Sequence, residues 1–284
     1  YSVTLKKQTP PSNRTHDYMS LAKYFWPDPN SPTGLPYIRR DGHVNPEIKE
    51  IKDFEYLRAM FMDVYTLSLA YRFYRNESYS QKAVTRITEW FIDPVTKMNP
   101  HIKYGSMIKG EESGRQTGVL DFFHVYRFVD AVEVLRESPY WSESVEGSFK
   151  EWLTAYYKWL QEDPLAKAER AALNNHGTFY DCQLISVAIL LKDFPTARQV
   201  AESAKSRRIE AQISKDGSQP YETLRQTSFS YSVFNLRGLF LLASLSERVG
   251  VDLWNYHGSD ERGIKKAVDY ILPYALNNGA GWPY

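Results

Sequence analysis

A single cysteine, Cys182, stands in a chain of 284 residues, which excludes an internal disulfide framework and a multi-cysteine zinc site. It falls inside an apolar stretch and reads as a small core residue. Net charge is equally scarce. With 35 basic and 34 acidic residues the balance is +1, so no global field recruits nucleic acid, and a polyanion would have to be gripped by a local basic groove. No unbroken apolar run reaches the roughly 18 residues that a membrane helix needs. Convincing strands of alternating pattern are missing beyond short pieces, as is any repeat of the kind a solenoid requires. What remains is 43% hydrophobic and 15% aromatic, ample for a buried core, over a length suited to one large or two ordinary domains.

Residues 1–46 hold seven of the fifteen prolines. Each interior proline costs a helix about 3 kcal/mol, so this segment is expected to be an ordered irregular arm laid over the remainder, residues 47–284. Tyr18, Tyr24, Phe25, Trp26 and Tyr37 alternate there with Asp17, Asp28, Arg39, Arg40 and Asp41. Such rings either pin the arm to the domain or offer flat faces on which a sugar stacks. From Glu47 onward the periodicity is helical, and it predicts helices over 47–75, 79–92, 117–137, 143–161, 175–192, 195–213, 222–248 and 262–277. Those at 117–137, 175–192 and 222–248 are apolar on more than one side. Those at 143–161 and 195–213 carry charged faces, the latter through Lys205, Arg207, Arg208 and Glu210. An inner and an outer ring of helices would produce that contrast. The predicted fold is therefore all-α, an α/α toroid or incomplete barrel of antiparallel helix pairs with an irregular N-terminal arm.

Between the second and third helices lies a long loop, 96–116, with His101, Lys103, Tyr104, Lys109 and Arg115 set among glycines. Loops this long in compact domains are commonly functional, and its positive charges suit a substrate-facing role. Two sequons, Asn13-Arg14-Thr15 and Asn76-Glu77-Ser78, would accept glycans in a secreted chain. The sequence opens within a polar segment without a visible signal peptide, as a processed or trimmed chain would. It stops at Gly281-Trp282-Pro283-Tyr284, where further residues are expected.

Two polar clusters carry the chemistry. Asn174-Asn175-His176-Gly177 opens the apolar helix at 175–192. A helix start supplies N–H groups and partial positive charge, so a carboxylate is welcome there; the bland alternative is that the asparagines only cap the helix. The second cluster begins at Glu222 and includes Arg225 and Tyr231. Those two are six residues apart, and on an undistorted helix they do not stack; they converge only if the segment is partly unwound at its start. Together the clusters supply amide, imidazole, guanidinium and phenol. A glycosidase normally needs two opposed carboxyl groups. This set instead suits β-elimination from a uronic acid, in which the sugar carboxylate is neutralised, a base removes the C5 proton and an acid protonates the departing O4.

The run His16-Asp17-Tyr18-Met19-Ser20, Tyr24-Phe25-Trp26-Pro27-Asp28-Pro29, Gly34-Leu35-Pro36-Tyr37, Asp41-Gly42 and Asn45-Pro46-Glu47, together with Asn174-Asn175-His176-Gly177 and Arg225-x5-Tyr231, resembles the alginate lyase superfamily of α/α-toroid polysaccharide lyases over most of the chain. The resemblance implies a secreted or periplasmic enzyme acting on an anionic uronan, mannuronan-rich alginate or glucuronan, with no metal or organic cofactor and with neither nucleic acid nor membrane as partner. Carried over residue by residue, Asn175 neutralises the substrate carboxylate and His176 assists or acts as base. Arg225 orients the acidic sugar, while Tyr231 protonates O4 and, in a syn elimination, also takes the C5 proton. Asn174, Trp26, Tyr37, Arg39, Tyr104, Arg115 and Trp254 are candidate substrate contacts. The chain departs from its relatives in the Arg-to-Tyr spacing, at Ser232 in place of a histidine and at Ser106 in place of an amide, so both polymers remain candidates. Two rival readings stand beside this one: a hydrolase using Glu111, Glu112, Asp121 or Glu222, and a non-catalytic uronan-binding protein.

Overall fold

The computed structural model describes residues 1–258 and 260–284. It falls into two compact units, Tyr1–Lys167 and Ala168–Tyr284.

In the first unit, residues 1–46 form no α-helix, as their prolines require. They contribute strands β1 (Met19–Leu21), β2 (Phe25–Trp26) and β3 (Ile38–Arg39). Strand β1 pairs in parallel with β4 (Tyr104–Met107), so the long loop is tied to the arm by backbone hydrogen bonds; β2 and β3 pair antiparallel. Side chains fasten the arm further. Lys6 and Asp53 form an ion pair of 3.0 Å with both side chains 1% exposed, and the buried Tyr18 donates to Asp121 at 2.9 Å.

The helices that follow match the expected periods but not all the expected limits. Asn45 caps a 3-10 turn at Pro46–Glu50, and extended backbone at the buried Ile51 delays α1 to Asp53–Tyr74. Arg75 in the left-handed region ends α1, and Asn76, from the second sequon, caps α2 (Glu77–Ile87) by accepting from the Ser78 N–H. A π turn over Thr88–Ile92 follows. The helix expected over 117–137 is divided into a 3-10 stretch, Gln116–Tyr126, and α3 (Arg127–Leu135). Gly118 lies so close to Gly105 of β4 that a Cβ on it would sit 2.1 Å from the Gly105 carbonyl oxygen, so the approach of the 3-10 stretch to the strand requires glycine. Helix α4 (Glu143–Glu162) lies where it was expected, whereas α5 (Pro164–Ala171) was not foreseen. The core of this unit is aromatic: Phe61 meets Phe128 edge-on at 4.7 Å, Phe91 meets Trp152 at 4.5 Å, and Phe122 meets Tyr156 at 4.4 Å.

In the second unit, α6 (Asn175–Leu190) is buried at every residue except His176 and Ile189, as a helix apolar on all sides should be. It packs against α9 (Ser228–Glu247), where Phe179 meets Phe234 at 4.5 Å and the Cys182 thiol donates to the Gly238 carbonyl. Cys182 is a fully buried core residue whose thiol is pushed well above its usual range by burial. Helix α7 (Phe194–Ala204) continues into a π turn, Lys205–Glu210. The expected helix 222–248 is two helices, α8 (Pro220–Thr223) and α9, with a non-helical break over Leu224–Thr227. After α10 (Ile264–Leu276), the Trp282 ring returns among Phe229, Tyr270, Tyr274 and Tyr284 at 5.1–5.9 Å, and its indole N–H donates to Ser228, fastening the first turn of α9.

Asp17 joins the arm to the long loop of the first unit. Burial alone would raise its pKa, but hydrogen bonds from His101, Ser12 and Asn99 and the charge of His101 hold it well below the ordinary carboxylate range. A carboxyl group whose pKa is depressed on folding contributes stability that is full above the unfolded value near 4 and is lost as pH falls towards the folded one. Asp17→Asn is therefore expected to cost about 1–3 kcal/mol at pH 7, with the deficit narrowing as the medium is acidified below pH 4. Urea titrations of both proteins across that range measure it, and a pH-independent deficit would contradict the assignment.

Candidate active site

The two polar clusters meet at a carboxylate. Asn174, in extended backbone, caps α6 by accepting the His176 N–H at 3.2 Å. Asn175 donates its backbone N–H to Glu222 Oε1 at 2.6 Å, and its amide nitrogen lies 3.0 Å from Oε1 and 2.8 Å from Oε2. Both residues are 1% exposed. The oxygens of one carboxylate subtend a much smaller angle at Nδ2 than its two N–H bonds do. One hydrogen therefore bridges both oxygens and the second leads away from Glu222. The sequence pattern suggested a helix start open to an external anion; instead the chain's own Glu222 fills it, because α8 delivers a carboxylate to the place where the helix dipole favours one.

Two more of the expected residues bear on the same group. Burial pushes the Glu222 pKa up, opposed first by the Asn175 hydrogen bonds and then by the charges of His176 and Arg225. The break between α8 and α9 is the unwinding that lets Arg225 and Tyr231 meet. The Arg225 guanidinium donates to the Tyr231 hydroxyl at 2.9 Å and lies 3.8 Å from the ring centroid. His176 lies 2.5 Å through Nδ1 from Oε1 of Glu169 on α5, a residue with no exposure. Asn175 is thus bonded to Glu222, Arg225 to Tyr231 and His176 to Glu169, while the charges of His176 and Arg225 both act on Glu222; Asn174 caps the same helix start.

A buried polar network carries this group. Gln212 donates to the Asn174 carbonyl and accepts from Thr178 and Asn235; Asn235 also donates to Gln219, which donates to the Ser232 carbonyl. Arg208 secures the turn into α6. It is 1% exposed, pairs with Asp181 at 2.7 Å and donates to the Ala172 and Arg170 carbonyls, each at 2.8 Å. This corrects the expectation that Arg208 lies on a charged outer face. The π turn inserts an extra residue into the helical period and rotates that side chain inward. Gly177 makes room for it, since a Cβ there would lie 2.1 Å from the Ala172 oxygen and 2.4 Å from Arg208 Nη1.

The sequence pattern marks neither Glu169 nor Arg208 as a site residue, and it offers Glu222 as the start of the second cluster and as a hydrolase acid. One signal did point to Arg208: Asp181 in an otherwise apolar helix demands a buried cation. The remaining candidates are more scattered. Trp254 packs edge-on to Phe240 at 5.2 Å and stays half-buried. In the first unit, the Arg115 guanidinium stacks on Phe25 at 4.8 Å, next to the half-exposed Trp26, whose indole donates to the His43 carbonyl. Tyr37 donates to Glu47, which also pairs with Lys109. Arg39 is exposed and pairs with Asp41, and Tyr104 is buried within β4. Of the rival acids, Asp121 accepts from Tyr18 and Ser20, while Glu111 and Glu112 are exposed.

Removing the shared carboxylate has a defined consequence. Glu222→Ala leaves the Asn175 N–H groups buried and unpaired and is expected to lower the unfolding free energy by about 2–4 kcal/mol. Glu222→Gln keeps an acceptor oxygen and should lose less. Chemical denaturation of both variants tests the order; an alanine variant as stable as wild type would sink it.

The alginate lyase family model matches residues 2–282. No curated protein sequence matches the chain. Among solved structures it is similar to an alginate lyase from Bacteroides ovatus, at 39% identity and a TM-score of 0.96 over 100% of this chain and 75% of that one. It shares its fold with alginate lyase A1-III in two forms complexed with a tetrasaccharide. The histidine-to-alanine form has 16% identity and a TM-score of 0.65 over 98% of this chain and 70% of that one. The tyrosine-to-phenylalanine form has 16% identity and 0.62 over 97% and 72%. With the family model spanning nearly the whole chain and the fold of the α/α-toroid class, this protein belongs to the alginate lyase family and is a polysaccharide lyase.

Proposed function

We propose that the enzyme cleaves mannuronan-rich alginate by β-elimination, with Asn175, His176, Arg225 and Tyr231 as its reacting group. What supports this reading is that Asn175 is bonded to a carboxylate on which the charges of His176 and Arg225 both act, and that Arg225 is bonded in turn to the Tyr231 hydroxyl. The C5 proton of a uronate becomes removable when the neighbouring carboxylate is neutralised. The Asn175 N–H that leads away from Glu222 and the positive charge of Arg225 are suited to that task. His176 takes the C5 proton on Nε2, the electron pair of the C5–H bond forms the new C4=C5 bond, the C4–O4 bond breaks, and O4 takes a proton from the Tyr231 hydroxyl. Arg225 beside the phenol oxygen favours the phenolate that remains. In mannuronate the C5 proton and O4 lie on one face of the ring, so one cluster on that face serves both transfers. Guluronate, inverted at C5, would need groups on opposite faces. Glucuronate differs from mannuronate only at C2, which makes glucuronan the second candidate.

The proposal includes action outside the cytoplasm, where a large anionic polymer is first encountered. Among the described residues no helix is long and apolar enough to span a membrane.

Incubation with polymannuronate is expected to raise the ultraviolet absorbance of the conjugated C4=C5 bond, polyguluronate to raise it far less, and Tyr231→Phe to abolish the rise. Asn175→Ala should lower kcat by roughly 10²–10³, the usual loss for one transition-state donor. New reducing ends without absorbance would establish hydrolysis instead. Binding without either signal would favour the non-catalytic reading.

A further inference from the structure

Glu169 has no exposure, yet among the described residues its side chain makes one hydrogen bond, to His176, and leaves its second oxygen without a partner. Burying a carboxylate so sparsely bonded is costly, and a core residue chosen for stability alone would not be a glutamate. His176 is the counterpart: in the first turn of α6 it alone reaches solvent, its side chain 17% exposed. Its ring thus meets a sealed carboxylate at Nδ1 while part of the side chain stays open to solvent.

We infer that Glu169 is a positioning residue, which fixes the His176 ring and its tautomer by accepting the Nδ1 hydrogen and so leaving the lone pair on Nε2. An ionised carboxylate only accepts hydrogen bonds, so the hydrogen in the 2.5 Å contact belongs to Nδ1. A neutral imidazole carries one N–H, so Nε2 is then the acceptor. Among the described residues no protein group occupies Nε2, which keeps that nitrogen for substrate. The carboxylate also stabilises the imidazolium that forms when the ring takes up a proton, the same logic by which a buried carboxylate serves the histidine of a serine-protease triad. The kinetic part of this inference rests on the elimination proposed above; the tautomer part does not.

The experiment has two arms. In the first, two-bond proton–nitrogen correlation spectra of protein carrying nitrogen-15 histidine, with the His176 signals assigned by their loss in His176→Ala, are expected to show the proton on Nδ1. Glu169→Met, matched in volume but without an acceptor, should shift the ring towards the Nε2–H form, and Glu169→Gln, which keeps an acceptor and folds if the methionine variant does not, should retain Nδ1–H. A wild-type ring protonated on Nε2, or a pattern unmoved by both substitutions, overturns the inference whatever the enzyme acts on. In the second arm, with polymannuronate, Glu169→Met is expected to lower kcat by roughly 10²–10⁴ with KM changed by less than about threefold. The same substitution in a His176→Ala background should add no further loss. Losses that simply add in the double variant would mean that Glu169 acts elsewhere. Absence of turnover by the wild type on every uronan would overturn the elimination while leaving the first arm to decide the tautomer.

Discussion

The contact on which the second unit depends is the one between Glu222 and the first residue of α6. A helix start has N–H groups without intrahelical partners, and here one of them, on Asn175, is satisfied by a carboxylate from 47 residues further along the chain. That single group also receives the Asn175 amide and lies in the fields of His176 and Arg225. Because it is buried, each of these interactions acts in a medium of low dielectric, where hydrogen bonds are strong and an unpaired partner is expensive. The direction in which Asn175 presents its second N–H follows from this contact. Helix α8 ends one residue after Glu222, and the break that follows lets Arg225 meet Tyr231.

Around that contact the protein keeps polar groups where a more stable protein would have hydrocarbon. Gln212, Asn235 and Gln219 form a chain of amides between α6 and α9, and Arg208 with Asp181 forms an ion pair sealed from solvent. Pairs of this kind contribute little net stability, since desolvation offsets most of the attraction. What they supply is direction. An amide chain has few ways to satisfy every donor, and a guanidinium fixed by one carboxylate and two carbonyls holds the turn between α5 and α6 in one form. Glu169 and Asn174 stand on either side of that turn.

Helix existence was legible from the apolar period. Where it failed, the failures have causes. Helix α5 has too few residues, eight starting at Pro164, and too small a set of apolar side chains, Leu165 and three alanines, for a period to be read from it. Arg208 was placed outside because a helical wheel assumes a uniform 3.6-residue period, and the π turn over Lys205–Glu210 breaks it. Trp282 illustrates the same limit: four aromatic rings close around it, drawn from α9, α10 and the segment that follows. No local pattern predicts such a gathering.

The sequence by itself determined which segments could be helical, because proline content and apolar spacing act within a few residues. It also determined which chemical groups were available: two asparagines and a histidine at a helix start, and an arginine and a tyrosine at a suspect spacing. Only the tertiary structure decided which carboxylate fills that helix start, which one holds the histidine, and that the second helix breaks between Thr223 and Ser228. Burial creates those choices. A carboxylate in water has no reason to prefer one donor over another, and becomes selective only where the packed chain removes the water and leaves a single set of partners within reach.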